Sequence, residues 1–460
     1  MNAPVPLKVS KGAALPIVFL LISWLPTTGL LQFGVYLLIP VVLLIAKFLK
    51  VITISRRIAA ILIIFIGLSI ARALFFYDAG FINPVLAFLT YASFWLLAVR
   101  FSGISVSAIQ LFVIILSFVN LFESFLGISQ FILVNGNASF ARLDSGDAVL
   151  GTTGAAMSHL FAIKVIFQSL FLLYYEYSLN GFRRLNRNIV SAIVGIIAGT
   201  FASFLLGTVL IALGLLITHL YKARARPDLL LKSLVGFALG AGVVFALLFF
   251  TQQGNVDLVV QTADQSLTTQ GVDSVRYQKI ATLEKSVSEI LVASPANALL
   301  GLGLGRFSSR AAMILSGGYL SGGSGVVPVS RSPETKIYIY DVWNDSTKAK
   351  FGGSIMGMPT SSFQAVLIEQ GILGFLLLLA LIYRLRTFAS RQFKDAGDPV
   401  SRAFLTGTSF IILPFILLTF TDVWLEFPTF TLFPFVLIAL VNSLASFPTK
   451  YRWRTVPSDH

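Results

Sequence analysis

The stretch Ser294-Pro-Ala-Asn-Ala-Leu-Leu-Gly-Leu-Gly-Leu-Gly-Arg-Phe307 lies inside a polar, glycine-rich insert, Thr251–Thr360, bounded on both sides by strongly apolar segments. That contrast decides the fold. A polar run about a hundred residues long cannot sit against hydrocarbon, where each unsatisfied backbone group costs several kcal/mol. The insert therefore belongs outside a bilayer and the apolar segments inside one. The composition agrees, with 56% hydrophobic and 12% charged residues, about half the charged share of a soluble domain. Apolar runs of about 17–25 residues recur along the chain, the length an α-helix needs to cross about 30 Å of hydrocarbon. They do not alternate every second residue as barrel strands do. The expected fold class is an all-α polytopic membrane protein.

Candidate spans fall at about 13–28, 30–47, 58–77, 83–99, 105–134, 154–178, 189–204, 206–221, 229–250, 361–385, 403–420 and 428–446, about twelve transmembrane helices in all. Lys and Arg gather in cytoplasmic loops. Here Lys8 and Lys11, Lys47 to Arg57, Arg100, Arg183 to Arg187, Lys222 to Arg226, Arg384 to Arg402 and Lys450 to Arg454 all fall on one side of such an arrangement. Both termini are then cytoplasmic, and the insert faces outward as one large loop between spans nine and ten. The chain divides into helices one to nine (1–250), the outer loop (251–360), helices ten to twelve (361–446) and a cytoplasmic tail (447–460). Asn188–Tyr221 leaves about 33 residues for two crossings at about 1.5 Å rise per residue. This asks for a short helical pair turning near Gly199–Gly207, its Gly and Ser residues letting the two helices approach. Span five, about thirty residues long, should tilt or protrude. The first apolar run follows Lys8 and Lys11 without a small-residue cleavage site and is expected to be a retained helix.

Several functions are disfavoured. The net charge of +14 would suit nucleic acid only if the basic residues shared one soluble face; most of them flank apolar spans, so no nucleic acid is expected. With no cysteine, there is no disulfide, thiolate metal site or cysteine nucleophile. No metal-ligand spacing and no cofactor motif occurs; Gly301-Leu-Gly-Leu-Gly305 matches a dinucleotide fingerprint only superficially, lacking a βαβ context. The halves show no internal repeat, which speaks against a transporter built from inverted repeats.

Within the insert, Val275 to Ala293 carries Ile280, Leu283, Val287, Ile290 and Leu291 at helical spacing, predicting an amphipathic helix. Pro295 and Gly301, Gly303 and Gly305 end it in a turn. Lys336 to Trp343 alternates and predicts a small hairpin through Asn344-Asp345, while Ser316–Ser324 and the glycine-rich middle read as a mobile cover.

Ionisable residues at membrane depth are costly and usually functional; Arg72, Glu123, His159, Lys164, Glu369 and Asp422 are the candidates. Arg72 and Glu369 fall near the outer ends of spans three and ten and could line one cavity. Alternatively, Glu123, Lys164 and Arg72 pair with one another inside the bundle, which would avoid burying an isolated charge. His159 lies in the outer half of span six, whereas His219 and His460 lie on the cytoplasmic side. Arg142, Arg276, Arg306, Arg310 and Arg331 are expected on the outer side. Guanidinium groups hold phosphate through paired hydrogen bonds, which suits a membrane-anchored diphosphate. For Arg142, that reading competes with balance by Asp144 and Asp147; for Arg310 and Arg331, solvated loop charge is favoured.

Arg276 before a helix, Ser294-Pro295, Gly301-Leu-Gly-Leu-Gly-Arg-Phe307 and Ser361-Ser-Phe-Gln-Ala-Val-Leu-Ile-Glu-Gln-Gly-Ile-Leu-Gly374 together resemble the O-antigen polymerase and O-antigen ligase superfamily. The resemblance covers about Arg276 to Gly374 well and Arg142 to Lys222 more loosely. It implies a metal-independent, cofactor-free glycosyltransferase at the periplasmic face of a bacterial inner membrane, using undecaprenyl-diphosphate-linked glycan as donor and acceptor. A chain-length regulator and a flippase are the further partners it implies. Arg276 would hold the donor diphosphate, with Arg142, Arg306, Arg72, His159 and Tyr277 beside it on diphosphate or glycan. The sequence has Ser361-Ser362 where the ligases carry a histidine-asparagine pair, and Phe201-Ala-Ser203-Phe where they carry Ser-Arg, so the polymerase branch is favoured over the ligase. Glu369 is the first candidate for the base that takes the acceptor hydroxyl proton, ahead of Asp341 and Glu334. Arginine stabilisation of the departing diphosphate is expected to be the larger effect.

Overall fold

The computed structural model describes residues 11–26, 31–76, 82–135, 149–154, 158–202, 205–223, 275–316, 331–342, 361–395 and 398–444, with single positions 242, 246 and 359. In chain order its helices are α1 (Lys11–Ile22), α2 (Leu31–Phe48), α3 (Arg56–Phe76), α4 (Ile82–Thr90), α5 (Val106–Asn135), α6 (Ser158–Asn180), α7 (Arg187–Phe201), α8 (Leu205–Ala223), α9 (Val275–Ser286), α10 (Pro295–Leu300), α11 (Arg310–Leu315), α12 (Ser362–Asp395), α13 (Pro399–Leu418) and α14 (Pro428–Leu444). The architecture is all-α. Segments of α3, α5, α6, α12 and α13 are long and apolar enough to cross a membrane; α1, α2, α7, α8 and α14 contain shorter apolar segments. The ninth expected span, 229–250, and the tail from 447 lie outside the described residues apart from positions 242 and 246.

The ends that basic residues mark come together in two groups. In the first, β1 (Ile52–Ile54) pairs antiparallel with β2 (Val99–Phe101), placing Thr53 opposite Arg100. Gly12 of α1 abuts the Ser102 carbonyl so tightly that a Cβ would meet it at 1.9 Å, and Ser443 Oγ of α14 accepts from Phe101 N at 2.7 Å. In the second, Thr406 of α13 reaches Ser178 of α6 at 3.2 Å, and Lys222 of α8 donates to Ser409 Oγ at 2.6 Å.

Three local expectations change. The fourth expected span, 83–99, is not one helix: α4 stops at Thr90, a 3₁₀ turn covers Ala92–Ala98, and the chain leaves as β2. The break falls at Tyr91, whose hydroxyl is held by Glu426 at 2.8 Å. Helix α7 ends at Phe201 and α8 begins at Leu205, within the expected 199–207, but three of the glycines in these helices serve other neighbours. A Cβ on Gly195 or Gly199 would strike Ser169 or Ile166 of α6, and one on Gly214 would strike Pro414 of α13. The expected hairpin at 336–343 is helical instead, with Pro333–Thr335 followed by a π turn over Lys336–Tyr340. Ser332 caps it by accepting from Thr335 N at 3.0 Å. The adjacent Tyr338 and Ile339 are both buried, which a period-two strand with one buried face does not allow. Asn344 and Asp345 lie outside the described residues.

The amphipathic helix of the insert is present as α9 followed by a π turn over Val287–Val292, with Ile290 and Leu291 buried and Glu284 and Glu289 exposed. The largest departure follows it. Every residue from Gly301 to Ser316 is buried, so this part of the insert is no cover over the bundle but a loop driven into it; the rest of the expected cover, 317–324, lies outside the described residues.

Candidate functional site

The site is built where that loop meets a broken helix. Ser294 caps α10 and Pro295 opens it, as both residue types favour at a helix start. The helix ends at Gly301, and Gly301, Gly303 and Gly305 take φ of +70°, +94° and +82°, values that side chains other than glycine's resist. They also permit close approach. A Cβ on Gly301 would lie 2.4 Å from the Glu369 carbonyl carbon, and one on Gly303 would lie 2.5 Å from Ala73 N of α3.

Opposite the loop, α12 breaks at Gly371, φ +67°. The break releases the carbonyls of Ile368 and Glu369 from their helical partners, and the loop supplies replacements: Leu302 N donates to Ile368 O at 3.0 Å and Gly303 N to Glu369 O at 2.8 Å. An interrupted helix at membrane depth is tolerated when protein re-satisfies its backbone in this way.

The Glu369 side chain completes the clamp. Its Oε2 accepts from Gly305 N at 2.7 Å, and its Oε1 from Phe307 N at 2.8 Å and Ser309 N at 3.0 Å. The residue is 1% exposed. Both oxygens are engaged by backbone amides, so Glu369 is not open to an acceptor hydroxyl in this conformation; it holds the loop. Arg72 finishes α10 from outside, its guanidinium donating to Gly301 O at 3.2 Å and to Asn297 Oδ1 at 2.7 Å. Arg72 thus does not join the pairing with Glu123 and Lys164 that the sequence allowed.

Arg310, expected as solvated charge, is 0% exposed. Its Nε donates to Tyr36 OH at 2.6 Å, its guanidinium lies 3.5 Å from the Phe427 ring centre, and its backbone N–H donates to Glu426. Glu426, also buried, accepts from Tyr91 OH at 2.8 Å. Burial, and then the neighbouring Glu369 carboxylate, push Glu426 up to about 8. Arg306 pairs with Glu334 at 2.9 Å, and Thr335 Oγ1 donates to Phe307 O at 2.8 Å, so the turn at 332–340 straps the loop. Arg331 donates to Ser316 O at 3.0 Å. Asp341 is exposed at the end of the same turn.

Helix α9 docks beside this unit. Lys279 Nζ donates to Thr421 O in the α13–α14 turn. Burial lowers its pKa to about 8, and the charge of Asp422 opposes that shift. Asp422 is buried, and its carbonyl accepts from Ser362 N at 3.0 Å and Ser362 Oγ at 2.9 Å. The insert's helix, the α13–α14 turn and the start of α12 therefore meet at one place.

Among the sequence candidates, Arg72, Arg306 and Glu369 come together here, with Asp422 close by. Arg276 and Tyr277 lie in the first turn of α9, their side chains outside the described residues, as is Arg142. His159 stands half-buried in the first turn of α6. Glu123 belongs to another cluster, accepting from Thr152 N at 2.9 Å and Thr152 Oγ1 at 2.7 Å. Lys164 donates to Ser23 O and lies 4.7 Å from the Trp24 ring centre. Sequence reasoning missed Arg310, Glu426, Tyr91 and Lys279. Glu426 offered a signal, being an acid wedged into the apolar run Trp424-Leu-Glu-Phe-Pro428. Among the described residues, no cluster of His, Asp and Glu could hold a metal ion. Neither the models of known protein families nor the curated proteins compared with this sequence match it.

Proposed function

We propose that the protein is a membrane-embedded glycosyltransferase that polymerises undecaprenyl-diphosphate-linked oligosaccharide repeat units into O-antigen, capsule or exopolysaccharide. It acts at the periplasmic face of a bacterial inner membrane. One observation carries the reading: the two motif blocks behind the resemblance, 294–307 and 361–374, interlock backbone to backbone at the break in α12. The helix that carries Arg276 in its first turn docks on the adjoining turn. In this reading Arg276 grips the donor diphosphate, with Tyr277, Arg142 and His159 contributing to diphosphate or glycan binding. Arg72, Arg306 and Glu369 shape the loop that forms the floor. About twelve spans with both termini cytoplasmic fit the two groups of basic-flanked ends. A base for the acceptor hydroxyl comes from outside the clamped pair of Glu369 oxygens, and solvent-facing Asp341 is the remaining candidate of the three.

The polymerase branch is favoured because Ser362, where ligases carry part of a histidine-asparagine pair, is committed to bonds with Asp422 O and Leu425 N. A second reading, a transporter of lipid-linked glycan, draws on the broken α12, since interrupted helices line many transport sites. Purified protein in vesicles with lipid-diphosphate repeat units separates them. The polymerase makes a ladder of longer lipid-linked products, which Arg276→Ala abolishes while the variant stays in the membrane. A ligase leaves single units unextended and attaches finished polymer, and a transporter moves substrate across without new product. Near-normal long polymer from Arg276→Ala would overturn the proposal.

A further inference from the structure

Lys279 enters the reading so far only through the contact that docks α9, yet its placement is unusual. A lysine head tucked against protein loses hydration that only well-placed partners restore, and an apolar residue there would dock α9 at lower cost. Its ammonium instead donates to Thr421 O, with the buried Asp422 carboxylate acting on it. Asp422 is itself fixed. Its Oδ1 accepts from Val423 N at 2.7 Å, and its carbonyl takes both donors of Ser362. Lys279, by contrast, is half-buried, so solvent reaches it.

Arg276 precedes Lys279 by three residues, which puts both positions on one face of α9, about one turn apart. Both positions carry cationic residue types, and like charges at that spacing disfavour one another unless an anion is near. An ammonium carries three donors on a flexible stem, so it can hold a carbonyl and ligand oxygens together. An arginine and a lysine one helical turn apart are a pair of residue types suited to a diphosphate, one offering a fork of donors and the other a point charge.

We propose that Lys279 is a second binding cation for the diphosphate of the lipid-linked donor, with Asp422 as its positioning residue; this rests on the glycosyltransferase reading above. The test uses full-length protein in nanodiscs, with Lys279→Gln, Lys279→Arg and Asp422→Asn, and thermal unfolding to confirm that each is folded. Lys279→Gln keeps a donor for Thr421 O and loses the charge. It is expected to raise KM for the lipid diphosphate about tenfold or more with a smaller change in kcat, as loss of one charge-assisted contact should. Competition by inorganic diphosphate should weaken in parallel. Lys279→Arg restores most of the affinity, and Asp422→Asn falls between. Unchanged KM and unchanged competition in folded Lys279→Gln would overturn the inference and mark the lysine as a docking contact only. If the wild type makes no polymer, the glycosyltransferase reading fails. Calorimetric titration with inorganic diphosphate then still decides: binding lost in Lys279→Gln supports the cation site, and equal or absent binding in both proteins overturns it.

Discussion

Gly301–Ser316 comes from the polar insert and is buried at every position, whereas Leu44 and Phe48 come from an apolar run and are 70% and 85% exposed. In water the second arrangement would be unstable. Beside lipid tails it costs little, because apolar side chains gain no hydrophobic free energy by leaving hydrocarbon for a protein interior. Interior positions then go to groups that need partners. The loop supplies amides to the Glu369 carboxylate and to the freed carbonyls of α12, while Leu44 and Phe48, near the C-terminal end of α2, supply apolar surface.

The largest effect expected from this contrast is at Glu369. Glu369→Ala strands three buried amides, at a cost of about 3–5 kcal/mol. Thermal unfolding in detergent should show a large fall in midpoint together with loss of polymer, while Leu44→Ala on the lipid face stays near wild type. Equal midpoints for the two variants would remove the distinction.

A smaller effect is expected at Glu426. Its folded pKa is raised from 4.5 to about 8, so the folded state keeps a proton that the unfolded state releases. The stabilisation is full below about 4.5, diminishes as pH rises, and is gone above about 8, with a slope of at most about 1.4 kcal/mol per pH unit. Glu426→Gln should flatten the pH dependence of the unfolding midpoint across that window; an unaltered slope would show that the carboxyl is ionised in the fold.

Much of the bundle was legible because its signals are local. Apolar runs set the helices, Lys and Arg marked the ends that β1–β2 and the α6–α13 contacts bring together, and helical spacing marked α9. The clamp was less so. Gly301-Leu-Gly-Leu-Gly305 announced a turn, but its partners, Ala73, Ile368 and Glu369, stand far away in the chain, and nothing local says that a polar loop will be driven inward. Arg310 failed for the same reason, since Tyr36, Glu426 and Phe427 all come from other segments. At 336–343, weak alternation outweighed the Ser332-Pro333 cap, though capping was the better guide.

The absence of cysteine makes one measurement unusually direct. Ser308 is buried in the loop, and Ser288, on the π turn after α9, is exposed; each can be changed singly to cysteine and treated in intact cells with a membrane-impermeant maleimide. The inserted loop predicts rapid labelling of Ser288→Cys and none of Ser308→Cys until the protein is denatured. Labelling of Ser308→Cys as fast as Ser288→Cys would place the glycine-rich stretch outside the bundle and contradict the account.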